Sequence, residues 1–376
     1  MDLHARHRPG ATRRLPRPSS GRCPAQRGTV RRMSRDFRSD NVAPPAAPMT
    51  RAALAACENW SDAYAEDRLT AGLEATLANL FGREVAAFPI LTGTAANALA
   101  LAQLCGRFSQ VMCHRSAHIH LDECGAVEFH NPGCRIVPLD GADGKLGIEA
   151  CARALGAADD VHRLRSSALS LSQASEAGTV YRTGEIEALA GWARAMGLSV
   201  HMDGTRFANA LAASGATPAE MTWRAGVDVL CLGATKGGAI GAEVVVFFDR
   251  GQAGDFRRLM KRSGHLASRM WFMAAQLEAY LADGFWLEAA RHANAMAARL
   301  AAALADGGRP APCYPVETNM VFLSLGEAER LRLRENGFDF YMVDDGSGGP
   351  MARLVTSHAT RAEDVDALAD ALRAGA

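Results

Sequence analysis

Three short stretches of this chain place reactive side chains directly behind apolar runs. In Leu230-Cys231-Leu232-Gly233-Ala234-Thr235-Lys236-Gly237-Gly238, Lys236 stands alone among small residues. Lysine is rarely buried without a task, and desolvation lowers its pKa until the free amine becomes a nucleophile. The glycines would let a bulky group approach the backbone, and the G-x-x-x-x-G-K-[ST] pattern of a Walker loop is not met. In Val200-His201-Met202-Asp203-Gly204-Thr205-Arg206, an acid stands where an apolar strand ends, with Arg206 three residues later. Such an Asp either caps a helix or faces a cationic partner such as a protonated ring nitrogen. In Leu91-Thr92-Gly93-Thr94-Ala95-Ala96-Asn97, a Gly/Thr turn opens a helix. Backbone N–H groups there, with Gly93 and Thr94, can cradle a phosphate, although such turns also cap helices that bind nothing.

The elements that must position these residues alternate. Residues 70–82 have helical apolar spacing, 85–91 form a short apolar run and 95–104 an Ala/Leu-rich helix. Residues 166–172, 197–203, 227–233 and 242–248 have strand character, with a helix over 183–196. Strand–helix alternation with continuous apolar strands predicts an α/β fold with a mainly parallel sheet covered by helices. In such sheets ligands bind at the carboxyl ends of the strands, where all three stretches fall. Past residue 250 the pattern becomes long helices over 270–306, then a strand near 319–324 and a closing helix near 362–374. The expected organisation is therefore a large domain over 34–284 and a small α+β domain over 285–376. The GSGG at 346–349 is a local loop.

The 376 residues include 41 basic and 41 acidic side chains, so no bulk charge attracts nucleic acid or anionic lipid. No apolar run approaches the roughly 20 residues that span a bilayer. Residues 1–32 are different, with nine Arg, four Pro and one acid; setting them aside leaves 32 basic and 40 acidic residues, about −8. Without periodicity or an apolar core, this arm is expected to be a disordered extension outside the working protein, which would start near Met33. Nine cysteines, with no C-x-x-C pair, suit reduced thiols in a cytoplasmic enzyme.

A phosphate turn, a strand-end Asp and a strand-end Lys have a joint logic. Pyridoxal phosphate needs a phosphate anchor, a carboxylate that keeps its ring nitrogen protonated, and a lysine that binds it covalently. From Phe37 to about Asp370 the chain resembles the L-threonine aldolase family, within the fold-type I pyridoxal-phosphate enzymes. The resemblance rests on FRSDN (37–41), SDAYAED (61–67), TGTAAN, SAHIHLDECGA, HMDGTRFANA, GATKGG, KRSG (261–264), TNMVF (318–322) and RLVT (353–356). It implies a large aminotransferase-like domain, a small C-terminal domain, and cleavage of threonine, allo-threonine or phenylserine to glycine and an aldehyde. It further implies that Gly93 and Thr94 bind the phosphate and that His118 stacks on the ring and serves catalysis. Asp203 would pair with the ring nitrogen and Lys236 would carry the cofactor. Arg206 would contact the ring hydroxyl or the substrate carboxylate, and Arg353 with Ser39 would hold that carboxylate. Tyr64, Lys261 and Arg262 would reach the site from a neighbouring subunit of a homodimer or homotetramer.

One block departs from the family's pattern. An E-N-T-H-N type segment, whose His lies near the substrate hydroxyl, is replaced by Ser172-Gln173-Ala174-Ser175-Glu176-Ala177-Gly178-Thr179-Val180. The base for the β-hydroxyl is thereby left open among His118, a phosphate-held water and Glu123, and the altered block resembles members that accept bulky β-hydroxy amino acids. A β-eliminating lyase or an aminotransferase is the nearest alternative, since ring binding and the carboxylate clamp are similar in each. A homologue that binds cofactor without activity would be expected to lose Lys236, Asp203 or Arg353. An oxidoreductase lacks G-x-G-x-x-G. The cluster Cys113, His114, His118, His120, Asp122, Glu123 and Cys124 matches no clean zinc spacing, and no metal is expected.

Overall fold

A computed structural model describes residues 35–155, 160–344 and 349–374. The basic segment 1–32, the boundary at Met33 and most of the GSGG loop lie outside the described residues. Seven strands form the central sheet: β1 (Ala86–Ile90), β2 (Ser109–His114), β3 (Arg135–Leu139), β4 (Arg165–Ser172), β5 (Ser199–Gly204), β6 (Val229–Gly233) and β7 (Glu243–Phe247). Their order is β1-β7-β6-β5-β4-β2-β3. The neighbours from β6 to β3 pair in parallel, while β7 runs antiparallel to both β6 and β1. The expected mainly parallel sheet is therefore present, with one reversed strand entered through the tight turn after Lys236. Pro89 and Pro138 lie in β1 and β3, the two edges, where a missing N–H costs no ladder bond.

Helices pack on this sheet for legible reasons. Helix α1 (Ala47–Ala56) starts with Pro48 in its first turn, a favoured position. Helix α2 (Arg68–Phe81) is capped by Asp67, which accepts from the Thr70 N–H at 2.8 Å, and stops at Gly82 with φ 65°. Helix α3 (Gly93–Leu104) is buried continuously from Ala95 to Leu101, so its small residues serve close packing on every side. Helix α4 (Thr183–Ala195) and helix α5 (Phe207–Ser214) follow β4 and β5. In the central sheet two strands escaped the sequence reading, β2 and β3, because SQVMCH and RIVPL are short and carry polar or proline residues.

Helix α6 (Trp271–Leu281) leads into α7 (Phe285–Asp306), which joins two cores. Its Trp286 and Ala290 belong to the main core, whereas Ala297, Leu300 and Leu304 belong to a second. That second core is roofed by β8 (Met320–Leu323), β9 (Tyr341–Val343) and β10 (Met351–Val355), an antiparallel sheet ordered β9-β10-β8, and by α8 (Ala362–Arg373). Phe37 lies in the same core and accepts from Val355 N at 2.8 Å, so the segment before α1 is threaded into it.

The carboxyl edge of the sheet is crowded. Register sets Asp203 between Ser172 and Cys231, and Gly233 beside Glu243. A Cβ at Gly233 would come 2.7 Å from the Thr205 carbonyl oxygen and 2.8 Å from its Cα. Backbone at that distance has no rotamer with which to yield. Gly233→Ala is therefore expected to destabilise the fold by about 1–3 kcal/mol, the usual cost of overpacking. Thermal unfolding checks this, and an unchanged midpoint would contradict the close approach.

Candidate active site

The carboxyl ends of the parallel strands supply nearly all of the candidate residues. β6 ends in the turn that carries Lys236, β5 in Asp203 and Arg206, and β2 leads to a short helix starting at His118. β1 points forward and ends at the turn to α3, whose Gly93 and Thr94 are the first two helical residues. Thr92 caps this helix by accepting from Ala95 N at 3.2 Å. The Gly93 and Thr94 N–H groups, in the first turn, have no intrahelical acceptor. A Cβ on Gly93 would lie 3.6 Å from Thr205 Oγ1, so the turn abuts the end of β5.

Asp203 is buried and held at both oxygens. Oδ1 accepts from Thr205 N at 3.1 Å and Thr205 Oγ1 at 2.6 Å, while Oδ2 accepts from Asn97 Nδ2 at 2.9 Å. Burial pushes its pKa up, but the Thr205 hydrogen bonds and the nearby His118 more than reverse this, and it stays ionised. His201 behind it is neutral, pushed down to about 4 by burial. A single partner on Oδ2 leaves a lone pair for a further donor, such as a ring N–H.

His118 faces the same region. Its Nδ1 bonds Glu123 Oε1 at 2.9 Å, and Asn97 Nδ2 donates to that oxygen at 2.9 Å. Asn97 therefore links the His118–Glu123 pair to Asp203. The hydrogen bond that His118 donates to Glu123 raises its pKa against the opposing effect of burial, with the Asp203 charge helping. Glu123 is itself pushed up by burial, which outweighs its bond to His118. Asn97 Oδ1 and Glu123 Oε2 are buried without partners among the described residues.

Arg206 is buried and spent on a partner that the sequence reading did not single out. Its Nε and Nη2 meet Asp40 Oδ2 and Oδ1 at 2.9 and 3.0 Å, and Asn319 Nδ2 adds a 3.1 Å bond to Asp40. Burial opposes the Arg206 charge, but Asp40 restores it and the pKa is raised. This takes up the bidentate face expected for a ligand and leaves Nη1 outside the pair. Ser39, expected at the substrate, accepts from Asn41 N at 3.2 Å and caps the turn that carries Asp40.

Two cations remain open. The side chains of Lys236 and Arg353 make no hydrogen bond or ion pair among the described residues. Burial lowers the Lys236 pKa, and the Arg206 charge lowers it further. Arg353 is depressed in the same way by burial and then Arg206, yet a guanidinium stays protonated. It opens onto a cavity of about 890 Å³ shared with Glu176, Asp122, His120 and Tyr314. An unpaired, partly buried cation on a cavity is suited to an anionic ligand.

The groups fit pyridoxal phosphate. Lys236 offers an open amine, Asp203 an ionised acceptor with a free lone pair, and His118 a ring fixed by Glu123. The Gly93–Thr94 turn offers N–H donors. Glu243 was not foreseen: this lone acid in an apolar strand accepts from Ala234 N at 2.9 Å and is pushed up to about 7 by burial. Tyr64 and Lys261 lie elsewhere, with Lys261 Nζ 4.1 Å from the Tyr64 ring centroid, and no hydrogen bond joins them or Arg262 to Lys236 or Asp203. The thiols and imidazoles around His118 diverge: His114 bonds Ser116 and Gly141 while His118 bonds Glu123. Among the described residues no three His, Cys, Asp or Glu converge as metal ligands.

Two outcomes test these contacts. Asp40→Ala leaves the Arg206 charge buried and unpaired, so stability should fall by about 3–5 kcal/mol in urea unfolding; a loss near zero would mean that the pair is not desolvated. Glu123→Gln removes the main cause of the raised His118 pKa, so that imidazole should titrate lower by NMR. In the wild type a raised histidine stabilises the fold fully below its ordinary value of about 6.5 and loses that contribution as pH climbs through the raised value. The variant should lose this slope.

Comparison with known proteins gives the family. A family model described as beta-eliminating lyase matches residues 36–328. A low specificity L-threonine aldolase of Pseudomonas aeruginosa is 40% identical over 341 residues, covering 90% of this chain and 97% of that protein. The solved structure of Leishmania major threonine aldolase aligns with TM-score 0.84 at 26% identity, covering 90% of this chain and 98% of the other. A serine palmitoyltransferase with bound PLP–myriocin shares the fold, at TM-score 0.64 and 15% identity over 90% of this chain and 86% of that one. With a strand-end lysine, an ionised strand-end aspartate and an open arginine on this scaffold, the chain belongs to the beta-eliminating lyase family and, within it, to the low-specificity L-threonine aldolases.

Proposed function

We propose that this chain uses pyridoxal phosphate to cleave β-hydroxy-α-amino acids, among them threonine, allo-threonine and phenylserine, into glycine and an aldehyde. The observation that carries this reading is the pair of open cations, Lys236 and Arg353, beside Asp40, Asp203, Glu123 and Arg206, each of which has a partner. One suits a carbonyl-bearing cofactor and the other a substrate carboxylate.

Bound at Lys236, the cofactor supplies a conjugated, protonated ring that takes up the electron pair released at the substrate α-carbon. Asp203 holds the proton on the ring nitrogen, and Thr205 and Asn97 keep that carboxylate ionised and aimed. The Gly93 and Thr94 N–H groups bind the phosphate at the start of α3. His118, fixed by Glu123, would cover one face of the ring. Arg353 takes the substrate carboxylate in a two-pronged contact and so selects the Cα–Cβ bond for cleavage by orientation. A β-eliminating lyase or aminotransferase would use the same binding groups with a different bond aligned.

Tyr64 and Lys261, together at the surface, suit a site completed by the same residues of a second copy in a homodimer or homotetramer. Eight described cysteines are unpaired, which suits a reducing cytoplasm. Among the described residues no helix is long and apolar enough to cross a membrane.

Purified protein with pyridoxal phosphate should show a visible absorption band of bound cofactor and release glycine from L-threonine and L-phenylserine. Lys236→Ala should lose the band and slow glycine release by about a thousandfold or more. A wild type without the band, or undiminished cleavage by the variant, overturns the proposal. Pyruvate from L-serine in place of glycine would support β-elimination instead.

A further inference from the structure

The bend after β4 carries an acid that none of the contacts above employs. Glu176 lies in a loop held from several sides. Ser175 Oγ and Thr179 Oγ1 donate to the Asp143 carbonyl at 3.2 and 2.6 Å. Ser175 N donates to Thr179 O at 2.9 Å, and Gly178 N to Ser175 O at 2.9 Å. Thr318 Oγ1 donates to Gly178 O at 2.8 Å, tying the loop to the segment before β8. The Gln173 amide spans the base, donating to Tyr181 O at 2.9 Å and accepting from Tyr181 N at 3.1 Å.

Gly144 lets this loop pack against its neighbour. Its φ is +75°, and a Cβ there would lie 2.9 Å from Ser175 Oγ and 3.1 Å from Ala177 Cβ. The side chains of Ala174, Ser175 and Ala177 are buried. Glu176, between them, is only partly buried and makes no hydrogen bond or ion pair among the described residues. It borders the 890 Å³ cavity that also holds Arg353. Its charge acts on His118, Arg206, Lys236 and Arg353, so it lies within electrostatic reach of the whole cluster.

A long acidic side chain on a mobile loop would be an ordinary solvated surface group. Here the loop is immobilised by its own hydrogen bonds, and the carboxylate shares a cavity with the open arginine without pairing to it. The other acids are less suited to a substrate hydroxyl. Glu123 is committed to His118 and Asn97, and its side chain is fully buried behind that imidazole. His118 is held at Nδ1 by Glu123 at 2.9 Å and, in the reading above, is committed to the ring face. Asp122 lines the cavity from an exposed position.

From this placement we infer that Glu176 accepts the β-hydroxyl proton in carbon–carbon cleavage and returns it in the reverse direction. The inference rests on the aldolase reading above and supplies the base which that reading leaves unassigned. The O–H bond breaks with its proton passing to a Glu176 oxygen. The freed pair on oxygen forms the aldehyde carbonyl as the Cα–Cβ bond breaks. One proton then enters at Cα from solvent to give glycine, and Glu176 releases the hydroxyl proton to solvent, so the count of protons is unchanged. No oxidant or reductant enters. General-base assistance of this kind contributes about 10²–10⁴ in rate.

The test uses the holoenzyme and Glu176→Gln, which keeps the side chain's size. Two measurements need no acceptor for a hydroxyl proton: glycine binding, read from cofactor absorbance, and exchange of the glycine α-hydrogen with deuterium oxide. Glu176→Gln should lower kcat for L-phenylserine by about a hundredfold or more while both glycine measurements stay at wild-type values. Glu176→Asp should recover part of the loss. Wild-type kcat in Glu176→Gln overturns the assignment. So does a variant in which glycine binding, exchange and cleavage fall together, since that marks a residue which only shapes the site. A wild type that binds cofactor but makes no glycine would instead overturn the aldolase reading itself.

Discussion

Everything at the carboxyl edge leans on one buried ion pair, Asp40 with Arg206. The two residues are 166 positions apart, and Asn319, 279 positions from Asp40, completes the contact. Burial resists both charges, but the paired geometry keeps each ionised: the Asp40 pKa is lowered by Arg206 and Lys236 despite its burial. A desolvated pair contributes little net stability, yet leaving either member alone is costly. Its value is therefore positional. It fixes the segment before α1 against the end of β5, and the same segment is stitched into the second core where Phe37 accepts from Val355 N at 2.8 Å and donates to Asp339 O at 2.8 Å. Val355 lies two residues after Arg353 on β10, so the segment that carries Ser39 is bonded to the strand that carries Arg353.

The remaining charges divide by whether they are matched. Asp203 is saturated by Thr205 and Asn97 except at one lone pair, and His118 is bound to Glu123, so both are rigid. Lys236, Arg353 and Glu176 are open. Preorganised dipoles and charges do most when they need no rearrangement as the reaction proceeds, which describes the first set. Groups that must exchange partners with a ligand have to be free of protein partners beforehand, which describes the second. Arg206 serves both, because its charge is held in place by Asp40 and depresses the neighbouring lysine and arginine.

Legibility in the sequence followed distance along the chain. Lys236 and Asp203 stood out because a reactive side chain directly after an apolar run needs only local context to be noticed. Strands β6 and β7 were visible for the same reason, being nearly continuous apolar runs, and β4 was visible through its alternation of Ser with Ala and Leu. Strand β2 (SQVMCH) was not, since its burial comes from neighbours on either side in the sheet rather than from its own composition. Asp40 lay inside a family block but had no visible role, because its partner is brought to it only by folding. Asn97 was hidden likewise: inside a helix of alanines and leucines it resembles a minor polar interruption, and only the packing of α3 turns its amide onto both Glu123 and Asp203. Glu243 could have been found, as a charge in an otherwise apolar strand calls for a partner.

Glu176 shows how such a fold can keep cofactor binding constant while its chemistry varies. The groups suited to the ring sit on or next to strands, where register holds them to within the tolerance of a hydrogen-bonded ladder. The loop after β4 is outside that ladder and is made rigid by side-chain bonds from Ser175, Thr179, Thr318 and Gln173. Changing the residue presented at position 176 would leave those bonds and the strands untouched. Loops on a rigid scaffold are where function is varied at least structural cost. A block that departs from the family's usual histidine-bearing pattern can thus present a carboxylate to the same cavity, with Arg353 still in place to orient whatever enters.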